Sequence, residues 1–137
     1  MNNLRQIIAI DNANKRRLCT LFGKIPEASG IYIFTRQDEN GERFSYVGQA
    51  KRLLSRIAQH LRGYKQHIDL SLLKRKLYTT GNPYGWKVVW EEVSEHKLDE
   101  VERDYIKMCK DEGFTSLNKL DGGQGAGRKK IAETKPA

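Results

Sequence analysis

Two short β-forming runs joined by a turn constrain the fold of this chain more than any other feature. Residues 30–35 (GIYIFT) are β-branched and aromatic, a composition that suits a pleated, half-buried surface. QDENGE follows, with Asn40-Gly41 as a hairpin signal, and Arg43 to Val47 return as the partner strand, ending at Gly48. Pairing symmetric about the Glu39–Asn40 link makes Tyr32 and Tyr46 near neighbours across the ladder. A lone hairpin is marginal in water, so the rest of the chain must cover it.

The remaining pattern supplies that cover. Residues 14–22 read as a short helix stopped by Gly23, with Leu18, Leu21 and Phe22 as its apolar stripe. A helix is expected over residues 51–61, where Leu53, Ile57 and Leu61 recur at helical spacing, and another over 69–78. Residues 86–93 read as a third strand in which Trp86, Val88 and Trp90 face the core. Ser94 is the expected N-cap of a helix running to about Lys110. The order predicts an α+β fold, a small three-stranded antiparallel sheet flanked by helices. Its 137 residues divide into a helical N-terminal extension (1–25), one main domain (26–120) and a flexible basic tail (121–137).

Charge narrows the function. The chain has 25 Lys and Arg against 17 Asp and Glu, a net charge of +8. Such an excess favours a polyanion: nucleic acid, an anionic membrane face or an acidic partner. The excess is concentrated, because residues 51–78 hold eight bases (Lys51, Arg52, Arg56, Arg62, Lys65, Lys74, Arg75 and Lys76) against Asp69 alone. A solvated helical face explains a short charge run; this density fits a phosphate track better. No apolar run approaches the ~18 residues of a membrane span, so no membrane role is expected. MNNLRQIIAI lacks a signal-peptide pattern, and Cys19 and Cys109 lie far apart with no zinc spacing. Reduced thiols in a cytoplasmic protein are the simplest expectation.

One acidic residue breaks the pattern of its helix. Glu102 shares a face with Leu98, Tyr105, Ile106 and Cys109, in the middle of the apolar stripe. Burying an unpaired carboxylate is expensive. A buried ion pair with an arginine explains such a residue, and so does a ligand or catalytic role. Arg56 and His60 stand i, i+4 beside the stripe of the 51–61 helix, soon after the strand that ends in Tyr46-Val47-Gly48. Either tyrosine taken alone reads as a core aromatic.

The ordered series Gly30-Ile31-Tyr32, Tyr46-Val47-Gly48, Arg56, His60, Glu102 and Asn118 resembles the GIY-YIG nuclease superfamily over about residues 28–119. Val47 stands where the family name has isoleucine, and the QDENGE hairpin slightly lengthens the interval between the tyrosines. The SGIY opening, the YVGQAK segment and the run of glycines after Asn118 look most like the homing and phage-encoded branch.

The resemblance implies a metal-dependent DNA endonuclease that hydrolyses phosphodiester bonds with Mg2+ (or Mn2+). By that resemblance Glu102 is the sole protein carboxylate on the metal, with phosphate oxygens and waters completing the shell. Tyr32 is the general base, its pKa expected to be lowered by basic surroundings. Arg56 binds the scissile phosphate, His60 and Tyr46 orient Tyr32 or the water, and Asn118 orders the site from behind. Gly48 is expected to let the backbone approach the substrate. Lys51, Arg52, Arg62, Lys65, Lys74 and Arg75 are the expected substrate-binding cations. Two alternatives stay open: a non-catalytic DNA-binding module that keeps the nuclease fold, and a basic protein that binds RNA or a membrane surface. Oligomeric state, monomer or homodimer, is left open.

Overall fold

The hairpin forms the centre of the sheet. The computed structural model describes residues 4–63 and 67–118. The elements run α1 (Leu4–Phe22), β1 (Gly30–Gln37), β2 (Arg43–Ala50), α2 (Leu53–Arg62), α3 (His67–Arg75), β3 (Lys87–Glu92), α4 (Leu98–Asp111) and β4 (Thr115–Ser116). The sheet order is β3-β1-β2-β4. The three expected antiparallel strands are joined by a fourth, because β4 lies parallel to β2, with Phe44 opposite Thr115 and Ser45 opposite Ser116.

The hairpin register differs by one residue from the expectation. Gln37 pairs with Arg43, Phe34 with Tyr46 and Tyr32 with Gly48. The turn is not a two-residue Asn-Gly turn. Asp38 N–H donates to Glu42 O (2.9 Å), Gly41 N–H donates to Asp38 O (3.1 Å), and Gly41 takes the left-handed conformation at φ 86°. That is a three-residue loop whose glycine occupies the αL position. The Asp38 carboxylate stiffens it by accepting the amides of Asn40 and Glu42, each at 2.9 Å. Tyr32 and Tyr46 still share a face, as diagonal rather than direct neighbours.

Alternation along the strands gives the sheet two packed faces. Tyr32, Phe34, Tyr46 and Val88 join Leu18, Leu53, Ile57, Ile68, Leu72 and Trp86 in the larger apolar cluster. Ile31, Ile33 and Val47 pack with Leu98, Ile106 and Cys109 in the smaller one. Each fully buried aliphatic chain contributes about 1.5–3 kcal/mol relative to exposure, so α4 and the α1–α2–α3 layer clamp the sheet from opposite sides.

Helix ends account for the other departures. The first helix begins at Leu4, well before Asn14, and is tied to α2 by Arg62 Nε donating to Asp11 Oδ1 at 2.7 Å. Ser94 makes no capping hydrogen bond; it precedes a 3₁₀ turn, Glu95–Lys97, that leads into α4. The third helix starts at His67 and stops at Arg75, after which Lys76 has a positive φ of 58°. Leu77 then bridges to Trp86. The amides at the start of α2 go to the preceding loop: Leu53 to Ala28 O, Leu54 to Pro26 O and Ser55 to Glu27 Oε1 (2.8 Å).

Candidate active site

Two glycines shape the place where side chains from both faces meet. A Cβ on Gly30 would lie 2.2 Å from the Glu91 carbonyl oxygen and 2.8 Å from Leu53 Cδ1. A Cβ on Gly48 would lie 2.2 Å from Tyr32 Cζ and 2.3 Å from its hydroxyl oxygen. The first glycine lets α2 close onto the sheet. The second lets the Tyr32 ring lie flat across the end of β2, so the space over Gly48 holds a tyrosine and not a substrate.

The edge of β2 is covered only in part. Backbone pairing with β4 involves Phe44 and Ser45. One step further, Asn118 takes over: its Oδ1 accepts Val47 N–H at 3.0 Å and its Nδ2 donates to Val47 O at 2.8 Å. The amide thus imitates one residue of a neighbouring strand. Among the described residues no strand pairs with Gly48–Ala50 on that side, and this edge is where the polar side chains converge.

From the larger face comes Tyr32, 1% exposed. Its hydroxyl lies 2.5 Å from His60 Nε2, and it is also hydrogen-bonded with Arg56. Burial pushes its pKa far above the ordinary tyrosine range, and Tyr46 and Glu102 push the same way, while Arg56 pulls it down through charge and hydrogen bonding without prevailing. The expected lowering is therefore overturned: loss of solvent around the phenolate outweighs the guanidinium beside it. His60 is fully buried and ringed by Tyr32, Phe34 and Tyr46, with centroids 5.4, 5.8 and 5.9 Å away. Its Nδ1 meets Asp69 Oδ1 at 2.8 Å.

From the smaller face comes Glu102, 1% exposed and in line with Leu98, Ile106 and Cys109 on α4. Tyr105 flanks that stripe, half-buried, and its hydroxyl donates to Glu91. Gln49, the residue after Gly48, points to the same side as Glu102. Its Nε2 donates to Glu102 Oε1 (3.1 Å) and to Asp99 Oδ1 (2.8 Å), fixing the carboxylate at the end of β2. The charge of Glu102 is the least of the influences that raise the Tyr32 pKa, so the two side chains, delivered from opposite faces, are electrostatically coupled.

A model of the GIY-YIG catalytic domain matches residues 28–115. The chain belongs to the GIY-YIG family. Comparison with curated proteins and with solved structures finds no significant match. GIY-YIG domains are nuclease domains, so the coarse chemistry of this fold is endonucleolytic cleavage of nucleic acid. Among the described residues, no helix is long and apolar enough to cross a membrane.

The remaining candidate residues spread around this GIY-YIG centre. Arg62 is half-buried in its ion pair with Asp11 and serves to hold α1. Arg52 reaches Glu27 at 3.4 Å and Lys51 reaches Glu95 at 3.9 Å, both at the surface beside the site. Lys65 lies outside the described residues. Lys74 and Arg75 join Arg36 and Lys76, with Glu39 the single acid among them, around an open cleft of about 380 Å³ near the hairpin end of the sheet. The tail beyond residue 118 is likewise outside the description. Two polar residues of the centre went unread in the sequence, Asp69 and Gln49. Their only sequence signal is position: Asp69 opens a helix on the heels of His60, and Gln49 directly follows Gly48.

The donors at this centre fit a hard cation. Among the described residues no group of three or more His, Cys, Asp and Glu side chains gathers at one point. Glu102 offers oxygen, and Mg2+ needs only one or two carboxylates when substrate phosphate and water complete its shell.

Proposed function

We propose that this protein is a divalent-metal-dependent endodeoxyribonuclease with one active site per chain. The observation that carries the reading is the convergence of a buried phenol, a guanidinium and a buried carboxylate at the open end of β2, delivered by β1, α2 and α4. A basic protein that binds only RNA or a membrane surface has no use for that convergence.

In this reading Glu102 holds Mg2+ or Mn2+, with Gln49 setting the carboxylate's direction. Such an ion, when bound, polarises the phosphoryl oxygens of the substrate as a Lewis acid. Arg56 binds the scissile phosphate and stabilises the charge that develops as water attacks, help of a kind usually worth about 10²–10³ in rate. Tyr32 takes the proton from that water. Tyr46 packs against His60 and closes the pocket from the larger face. Asn118 keeps the end of β2 in place, which holds Gly48 under the Tyr32 ring.

In this reading the DNA backbone crosses the centre, with Lys51 and Arg52 at one end of the sheet and the basic cleft at the hairpin end. Arg36 stands four residues from Tyr32 on β1, about 13 Å at the usual strand rise, so one duplex can touch both.

Incubation of supercoiled plasmid with the protein and Mg2+ or Mn2+, with and without chelator, tests the reading. Cleavage is expected in metal and not in chelator. Glu102→Ala is expected to bind DNA with near-unchanged affinity while cleavage falls at least on the order of 100–1,000-fold. Full cleavage by that variant overturns the assignment, and a wild-type chain that binds but never cuts is a binding module.

A further inference from the structure

The polar chain that begins at Tyr32 does not end at His60. Tyr32 oxygen, both nitrogens of His60 and Asp69 Oδ1 form one continuous line, with spacings of 2.5 and 2.8 Å. All three residues are buried, Asp69 at 4% exposed. Placing a carboxylate there is costly unless it is paired. Its hydrogen bond with the imidazole gives α3 a reason to turn Asp69 inward among Ile68 and Leu72 and not towards solvent.

We propose that Asp69 is a positioning residue for the nuclease reaction: it holds His60 with its proton on Nδ1, leaving Nε2 bare to accept the proton of the Tyr32 hydroxyl. The proposal rests on the reading above, in which Tyr32 is the base. The logic is one of donors and acceptors. An ionised carboxylate only accepts, so neutral His60 must donate from Nδ1. Its Nε2 then has no hydrogen, and the Tyr32 O–H must be the donor in the second bond. The aromatic rings of Tyr32, Phe34 and Tyr46 pack the imidazole so that it cannot rotate out of line. The start of α3 adds to this, since a helix N-terminus favours negative charge in its first turn.

The arrangement gives a fully buried phenol somewhere to send its proton. The Tyr32 O–H bond breaks as an N–H bond forms at His60 Nε2, leaving phenolate and imidazolium, the latter facing Asp69. The phenolate takes a proton from the water whose oxygen bonds to phosphorus. The bond from phosphorus to the leaving sugar oxygen breaks with its electron pair going to that oxygen, which is protonated by solvent. Tyr32 then passes one proton to water in the site, His60 returns its own, and the chain is reset. Asp69 touches neither substrate nor water in this scheme. It acts through His60, as the third member of a nucleophile–base–orienting series does.

Two measurements test this. The chain has three histidines, so imidazole nitrogen shifts can be assigned to His60 in full-length protein carrying His67→Gln and His96→Gln. A proton on Nδ1 is expected without any variant at Asp69; a proton on Nε2 overturns the proposal. In Asp69→Asn the amide can present N–H to Nδ1, and His60 is expected to switch tautomer. With that switch kcat should fall at least about 100-fold, with KM for a short duplex within about threefold. If Asp69→Asn folds and keeps kcat within about threefold of wild type, or raises KM alone, Asp69 has no positioning role while the nuclease reading stands. If the wild-type protein itself fails to cut in Mg2+ or Mn2+, the nuclease reading falls and takes the role of Asp69 with it. Should the variant not fold, the tautomer in the wild-type chain decides.

Discussion

The two faces of the sheet reach one site by opposite means. The larger face brings a chain of polar groups (Tyr32, His60, Asp69) that is hydrogen-bonded end to end, wrapped in aromatic rings and sealed under α2 and α3. The smaller face brings one carboxylate, Glu102, set in a plain aliphatic stripe and steered from the strand by Gln49. A proton route needs an unbroken line of donors and acceptors, so it must be built inside a core where competing water is excluded. In the proposed reaction a metal ligand needs a fixed direction, and Gln49 gives that to a single glutamate on a rigid helix. Gly48 is the seam: its missing side chain lets the phenol of one face lie over the end of β2, one residue before the Gln49 that holds the carboxylate of the other.

The seam is therefore the place where one substitution disturbs both faces at once. Gly48→Ala places a methyl 2.2 Å from Tyr32 Cζ, so either the ring or the strand must move. A shift of that size at a reacting group costs roughly 100-fold in kcat, and overpacking costs about 1–3 kcal/mol of stability. Urea unfolding and plasmid cleavage on the same preparation measure both. Cleavage within a few-fold of wild type would show that the two faces do not depend on this contact.

Asn118→Ala tests the seam from its outer edge and should do less. It strips Val47 of both hydrogen bonds made by the amide, a loss of about 1–2 kcal/mol. Cleavage is expected to drop less than in Gly48→Ala, because water can reach the exposed edge and replace part of the clip. An Asn118→Ala protein that unfolds at the wild-type urea concentration would mean that β2 is held by β4 and the hairpin alone.

The contrast between the faces also explains what the sequence revealed. Glu102 was legible because one charge in an apolar helical stripe is a violation of a local rule, and such violations are visible at a spacing of three or four residues. Trp86, Val88 and the hairpin were legible for the same reason, since alternation is local. Asp69 was invisible: in the first turn of a helix an acid is what the helix dipole favours anyway, and its burial depends on His60, nine positions earlier. Gln49 is a polar residue on an edge strand until α4 arrives. Two-residue β4 has no periodicity to read, and the hairpin register followed from the αL glycine of a three-residue loop, which the Asn-Gly pair alone did not specify. The raised pKa of Tyr32 was missed because net charge along the chain says nothing about how deeply a phenol is buried.

The smallest effect is expected away from both faces, at the start of α2, where it separates stability from catalysis. Glu27 accepts the Ser55 amide and hydroxyl and pairs with Lys15. Burial alone would raise its carboxyl, yet the Ser55 hydrogen bonds and Lys15 hold it below the ordinary value of 4.5. A carboxyl lowered in the folded state stabilises fully above its unfolded value, and the contribution is lost as pH falls through the folded value. Glu27→Gln should therefore cost about 1 kcal/mol near neutral pH, the usual size of a helix cap, with cleavage unchanged. The difference from wild type should shrink below pH 4.5 and vanish once the native carboxyl is protonated. Urea midpoints near neutrality and near pH ~3 measure it. A gap that persists in acid would assign the effect to the shape of the cap and not to its charge, whereas a loss of cleavage would extend the active site from the seam back to the loop that feeds α2.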